Sequence, residues 1–321
     1  MLTVSAQDID RVLTFPGLVE TLREAFRAGA VQPVRHHHTV ERPDGAASTL
    51  LLMPAWTDFN AAGTSADGYI GIKMVTVSPD NNAIGKPAVM GVYLLLDGAT
   101  GEPRALIDGP RLTQWRTACA SALAASYLAR EDASHLLILG AGALCPFLAK
   151  AHSAVRPIKR VTIWNRTVEN AEKAAEALRQ DGLNVDVATD LTAALGQADI
   201  ISSATISTQP VVSGRLLKRG THIDLVGGFT PAMREADDHT VRRARVYVDT
   251  HAGATKEAGD IVQALASGAL APDAIIADLY ELARGQKPGR ESADEITMFK
   301  SVGAALEDLA AAIAVYETVK R

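Results

Sequence analysis

The chain has 321 residues, a formal net charge of −5, 47% hydrophobic and 21% charged residues, and no long charge run. That length accommodates two domains, and the composition excludes a disordered or fibrous chain. The acidic balance argues against nucleic acid as the main partner.

The opening segment, MLTVSAQDIDRVLTF, lacks a basic stretch followed by an apolar core, so no signal peptide is expected there. No apolar stretch reaches the ~18–20 residues of a membrane span. A cytoplasmic protein without a membrane partner is therefore expected. The spacing predicts a helix over residues 4–30, with Ser5 and Asp8 forming a capping box ahead of Ile9, Val12 and Leu13. Ser48–Pro54, Tyr69–Val77 and Val89–Asp97 are rich in β-branched and aromatic residues and read as strands. DGATGEP reads as a hairpin turn into the strand-like RALID, and Leu112–Arg130, rich in small residues, reads as a helix.

The texture then changes. HLLILG, RVTIWN, NVDVAT, DIISSAT, THIDLVG and RVYVD are short apolar strands, the first several separated by helical or loop-like stretches. Such alternation predicts an α/β fold with a parallel sheet covered on both faces. SVGAALEDLAAAIAVYETVK reads as a long amphipathic helix with no strand after it, returning to the first domain.

HLLILGAGALCPFLAKAH, His135–His152, runs from a strand through glycines into a helix. It matches the dinucleotide fingerprint G-x-G-x-x-G at Gly140 and Gly142 but carries Cys145 in the third place. The first glycine permits the tight turn and the second lets backbone approach a pyrophosphate. The third lets the helix pack closely, and a small cysteine can replace it there. The helix start then offers free N–H groups to the phosphates. The alternative is a purely structural strand–helix turn. At the end of the second strand, where an acid would hold a free ribose 2′-hydroxyl, the chain reads Asn165-Arg166-Thr167. An arginine there suits a 2′-phosphate, with Asn165 and Thr167 adding neutral hydrogen bonds, so NADPH is favoured over NADH. The other reading of Arg166 is a solvated residue at the helix start.

IGIKMVTVSPDN (Ile70–Asn81), the segment Leu94–Ala129, LILGAGALC, THIDLVGGFTPAMREAD (Thr221–Asp237), EAGD (Glu257–Asp260) and EITMFKSVGAALEDLAAA (Glu295–Ala312) occur in one order along the chain. Together they resemble the ornithine cyclodeaminase/mu-crystallin family. The resemblance implies a Rossmann-type doubly wound sheet at 117–302, inserted into an α+β substrate-binding and dimerisation domain at 1–116 plus 303–321. It also implies a homodimer. The activities it implies are ornithine cyclodeaminase, alanine dehydrogenase and reduction of cyclic ketimine acids. Lys73 matches the family's active-site lysine, and Arg116 the arginine that pairs with the substrate carboxylate. Arg35 resembles a second carboxylate-binding arginine. Thr117, Gly140, Gly142, Ala143, Leu144, Thr205, Val226, Gly227 and Val302 match cofactor contacts.

Two departures bear on activity. Cyclodeaminases of the family read G-G-D where this chain reads Gly227-Gly228-Phe229. Phenylalanine neither binds an ammonium by charge nor relays a proton, and an apolar Phe229 suits the ring methylenes of a cyclic imine. Cyclodeaminases also carry an acid at the second-strand end, where this chain has Asn165-Arg166. Both changes point to net reduction with NADPH, NADH being the weaker partner. The expected substrate is a small cyclic imino acid, pyrroline-2-carboxylate or piperideine-2-carboxylate. A guanidinium holds its carboxylate, and Lys73 is the candidate proton donor to the imine nitrogen, its pKa brought towards working pH by burial and two arginines. A purely electrostatic role for Lys73 is the alternative. Alanine dehydrogenase, ornithine cyclodeaminase and a ligand-binding protein like mu-crystallin are the competing functions.

His36, His37 and His38 alternate in direction along a strand and have no carboxylate or cysteine cluster nearby, so no metal site is expected. Cys119 and Cys145 are expected to be buried thiols. Asp224, where family members often carry asparagine, reads as structural or near the cofactor.

Overall fold

Pro16 divides the N-terminal stretch that the pattern joins into one helix. In the computed structural model, which describes residues 1–60 and 68–321, a short strand β1 (Leu2–Val4) precedes helix α1 (Ala6–Val12), and a separate helix α2 spans Phe15–Ala28. The Ser5–Asp8 capping box forms as expected. The single helix over 4–30 is corrected by local chemistry. Leu13 leaves the helical region, Thr14 caps the second helix by accepting from Gly17 N–H, and proline sits in its first turn, where a missing N–H costs nothing.

The chain then builds β2 (His36–Val40), β3 (Ser48–Trp56), β4 (Tyr69–Val77), β5 (Val89–Asp97), β6 (Pro103–Asp108) and helix α3 (Gly109–Leu128). Among the described residues these strands form a sheet of order β1-β6-β5-β4-β3-β2, antiparallel except for the β1–β6 pair.

The second run comprises β7 (His135–Leu139), α4 (Cys145–Val155), β8 (Arg160–Trp164), α5 (Val168–Gln180), β9 (Val185–Val187), α6 (Leu191–Gln197), β10 (Ile200–Ser203), β11 (His222–Leu225), α7 (Asp238–Arg243), β12 (Ala244–Val248), α8 (His251–Glu257), α9 (Gly259–Ser267), β13 (Ile275–Asp278), α10 (Leu279–Ala283) and β14 (Ile296–Lys300). Its sheet runs β13-β12-β14-β11-β10-β7-β8-β9, and every pairing is parallel. The strand order reverses between β7 and β10, the switch point of a doubly wound sheet. Helix α11 (Ala305–Val319) closes the described chain.

Two compact units result: Met1–Arg116 with Ala305–Arg321, and Thr117–Ala304. In the first, α11 packs against α2 and against β3, β4 and β5. Its expected amphipathic character does not hold. Buried residues occupy nearly every position from Ala305 to Ala312, Glu307 and Asp308 included. Its first half is buried on all sides and has no polar stripe, so its two acids must find cations inside the unit. In the second unit the core lies on the parallel strands, with Leu137, Leu139, Ile201, Ile223, Leu225 and Met298 among its buried side chains. No helix of the described residues is long and apolar enough to cross a membrane.

Candidate active site

Alternation along β4 sends Tyr69, Gly71 and Lys73 to one face. On that face Tyr69 Oη donates to Glu317 of α11. Gly71 leaves the space that Tyr93 fills, since a Cβ there would stand 1.9 Å from the Tyr93 hydroxyl oxygen. Tyr93 is the register partner of Lys73 on β5 and is fully buried; its hydroxyl has no hydrogen-bond partner among the described residues. Burial pushes its pKa well up, with the Asp308 charge adding to the effect, so the hydroxyl keeps its proton.

Lys73 is 4% exposed, and its Nζ lies 2.7 Å from Asp308 Oδ2. Arg116, near the middle of α3, is 5% exposed; its Nε donates to Asp308 Oδ1 at 3.0 Å and its Nη1 to Glu307 Oε2 at 2.7 Å. The structure thus brings Lys73 and Arg116 onto one shared carboxylate. Burial lowers the Lys73 pKa to about 8; the nearby Asp308 opposes this, while Arg116 and Arg35 add to it. The shift has the direction and two of the causes expected from sequence. Arg35 is half-buried, within electrostatic reach of Lys73. Burial works to raise the Asp308 carboxyl, but Arg116 and Lys73 outweigh it and hold it below the usual carboxylate range. Sequence reasoning missed Glu307, Asp308 and Tyr93. It also missed Gln32, whose Oε1 accepts from Leu306 N–H at 3.1 Å and caps the start of α11.

In the second unit the expected cofactor residues gather at the carboxyl ends of adjacent parallel strands. Gly140–Leu144 follow β7, Asn165–Thr167 follow β8, Thr205 follows β10, Val226 and Gly227 follow β11, and Val302 follows β14. Ligands of open α/β sheets bind along this edge. Gly140 has φ +103°, and a Cβ there would meet the Ala204 carbonyl oxygen at 2.7 Å, so the protein itself demands glycine. Gly142 is different: a Cβ there meets nothing within 4 Å. The eleven-residue α4 starts at Cys145 with no side-chain cap. The open space beside Gly142 fits a pyrophosphate, but the expectation of free N–H groups at the helix start is corrected: the Cys145 N–H already donates to the Gly142 carbonyl at 3.0 Å and Pro146 has no N–H. Cys145 is buried, as is Cys119, and burial pushes its thiol up to about 12, so it fills the third glycine's place as an inert small side chain.

Asn165 is committed within the loops. Its Oδ1 accepts from Ala141 N–H at 3.1 Å and its Nδ2 donates to the Thr167 carbonyl at 2.8 Å. The amide thus ties the second-strand end to the glycine turn. Arg166 is exposed, and its side chain makes no hydrogen bond or ion pair among the described residues. Thr117 is buried on α3, away in sequence from the strand ends. Phe229 is 48% exposed.

Beneath the loops lies a group of buried acids that sequence reasoning left without roles. Glu235 Oε1 accepts from Ser203 Oγ at 2.6 Å, Thr205 N–H at 2.7 Å and Thr205 Oγ1 at 2.8 Å; its Oε2 accepts from the N–H of Gly227 at 2.7 Å and of Gly228 at 3.3 Å. One carboxylate therefore ties the end of β10 to the end of β11. Asp260, from EAGD, accepts at Oδ1 from the N–H groups of Glu235 and Ala236, and Lys300 Nζ lies 3.2 Å from its Oδ2. Asp249 Oδ2 accepts from the N–H groups of Val302 and Gly303, both at 2.7 Å. Asp224 accepts from Ser121 and Ser202 and faces His152, all fully buried, a structural role as expected. His36 and His38 share one face of the exposed strand β2, their ring centroids 6.2 Å apart. His251, Asp278 and Glu281 group closely enough for a metal, but Asp278 and Glu281 are already the capping box of α10.

A doubly wound parallel sheet with an open glycine turn at its switch point defines a dinucleotide-binding enzyme fold. The chain belongs to the ornithine cyclodeaminase/mu-crystallin family, whose model matches residues 2–321. A delta(1)-pyrroline-2-carboxylate reductase from Paracoccus denitrificans is 41% identical over 284 residues, 87% of this chain and 89% of that one. The structure is similar to that of Thermococcus litoralis delta(1)-pyrroline-2-carboxylate reductase in complex with NADH and L-proline. The TM-score is 0.92 and the identity 34%, covering 100% of this chain and 98% of that one. An archaeal alanine dehydrogenase dimer with bound NAD gives a TM-score of 0.89 at 29% identity, over 100% of this chain and 96% of that one.

Proposed function

We propose that this protein reduces a cyclic ketimine acid, converting pyrroline-2-carboxylate to L-proline, piperideine-2-carboxylate to L-pipecolate, or both. The observation that carries the reading is the buried Lys73–Asp308–Arg116 group, set in a chain similar over its whole length to a reductase solved with NADH and L-proline. When bound, the reduced nicotinamide supplies a hydride for the imine carbon. Arg116 and Arg35 orient the substrate carboxylate. The Lys73 ammonium gives its proton to the ring nitrogen, so C=N becomes CH–NH and Lys73 is left as the neutral amine. Phe229 offers the ring methylenes an apolar contact in place of the aspartate that ornithine chemistry uses.

The cofactor loops are the strand ends buttressed by Glu235 and Asp249, with the open space beside Gly142 receiving the pyrophosphate. We assign NADPH as the preferred cofactor because Arg166, exposed and without a partner among the described residues, stands where a 2′-phosphate is read. Arg166→Ala is expected to raise the KM for NADPH about tenfold or more while leaving that for NADH nearly unchanged. Steady-state kinetics with both cofactors checks this, and equal effects would place 2′-phosphate recognition elsewhere. A homodimer working in the cytoplasm completes the proposal.

The deciding experiment follows NADPH and NADH absorbance with pyrroline-2-carboxylate, piperideine-2-carboxylate, and pyruvate plus ammonium. Rapid oxidation with a cyclic imine supports the reductase. Oxidation confined to pyruvate plus ammonium would replace it with alanine dehydrogenase, the reading that the archaeal dimer favours.

A further inference from the structure

Asp308 is fully buried in the first turn of α11, where an aspartate would ordinarily accept from free backbone N–H groups. It does not serve that end here. Gln32 satisfies the N–H of Leu306, and both Asp308 oxygens turn to cations, Oδ2 to Lys73 Nζ at 2.7 Å and Oδ1 to Arg116 Nε at 3.0 Å. Glu307, its neighbour, takes Arg116 Nη1. One buried carboxylate therefore fixes the separation of the two groups that the reduction needs, one for the proton and one for the carboxylate.

We propose that Asp308 is a positioning residue for the reduction, clamping Lys73 against Arg116 and keeping Lys73 a cation until the ring nitrogen arrives. The proposal rests on the reading of Lys73 as proton donor. The charged and titratable groups around Lys73 are Asp308 and Glu307 on α11, Arg116 on α3, Arg35 ahead of β2 and Tyr93 on β5. The two cations, Arg116 and Arg35, oppose a charge on Lys73, and Asp308 is the anion in contact with it. In the proposed step Asp308 neither gains nor loses a proton. The proton leaves Lys73 for the ring nitrogen, the hydride goes to carbon, and Lys73 regains a proton from water after product leaves. The clamp stays in place throughout, because Asp308 keeps its hydrogen bond from Arg116 Nε when Lys73 is uncharged.

The test reads Lys73 directly. Competitive acetylation with acetic anhydride across pH, followed by mass spectrometry of the Lys73 peptide, gives the pH at which its amine becomes half reactive. The same full-length proteins are assayed for imine reduction across pH, and circular dichroism checks their fold. In Asp308→Asn the half-point is expected below the wild-type value, near 8, and the falling limb of kcat for reduction moves down with it. If that variant does not fold, the charge-balanced pair Arg116→Gln with Asp308→Asn carries the test. A smaller shift in the same direction is expected there, since Asp308 acts on Lys73 more strongly than Arg116 does. An unchanged half-point in a folded variant overturns the clamp, and a shifted half-point with an unmoved kcat limb overturns its part in the reaction. A shifted half-point in a protein whose wild type reduces no cyclic imine supports the clamp and overturns the reductase reading instead.

Discussion

Lys73→Met is expected to lower kcat for imine reduction by about 10²–10⁴, the range that a lost general acid commonly gives. Methionine keeps most of the side-chain length in a buried site, so the loss falls on the proton and not on the shape. Cofactor affinity should stay close to wild type, because Lys73 is proposed to act on the ring nitrogen of the substrate and not on the cofactor; titration of nicotinamide fluorescence measures it. The wild-type pH profile provides a second check. With the Lys73 pKa lowered to about 8, the ammonium is the main form below that pH and the free amine above it. Reduction, which needs the ammonium, falls as pH rises through about 8. Oxidation of the cyclic amino acid, which needs the free amine as base, rises over the same interval. Near-normal turnover by the methionine variant would leave Lys73 with an electrostatic role alone.

Glu235→Gln is expected to raise the KM for the nicotinamide cofactor about tenfold or more and to lower stability. Its carboxylate accepts five hydrogen bonds, three at Oε1 and two at Oε2. A glutamine presents an amide NH₂ to one of those sets, so at least one backbone N–H loses its acceptor, at a cost of about 1–3 kcal/mol each. The groups released are the N–H of Thr205, with the two hydroxyls turned round to accept, or the N–H groups of Gly227 and Gly228. Either way a strand end in the expected cofactor site loses its anchor. Burial and neighbouring Asp260 push the Glu235 carboxyl up, while Lys300 and the donors hold it down. Steady-state kinetics with the cofactor varied, together with urea denaturation, separates the two effects. A less stable variant with an unchanged cofactor KM would make Glu235 a fold residue only.

Strands β3, β4 and β5 were legible because each has β-branched or aromatic residues bounded by turn residues; β4 and β5 fall at the predicted limits. Strands β13 and β14 were not. Ile275–Asp278 is only four residues long and its sequence, IIAD, hides the alternating burial it adopts, while Ile296–Lys300 is buried at every position and shows no alternation. Lys300 also reads as a solvent residue until Asp260 is seen beside it. The glycine turn was legible through its spacing, and Lys73 and Arg116 through their motifs. Their acids were hidden. Arg116 and Asp308 lie 192 residues apart in sequence, and an acid in a helical run looks like part of a wet face. Only the fold turns those charges inward.

The division of the chain also sets an order in time. Thr117–Ala304 is one continuous stretch and can begin to fold as it is synthesised, whereas the other unit is assembled from two stretches that flank it. Until Glu307 and Asp308 have been made, Lys73 and Arg116 have none of the anions that balance them in the finished unit. Two cations without counter-charges resist burial. The unit that holds Lys73 and Arg116 therefore gains its balancing charges only after the intervening stretch Thr117–Ala304 has been synthesised.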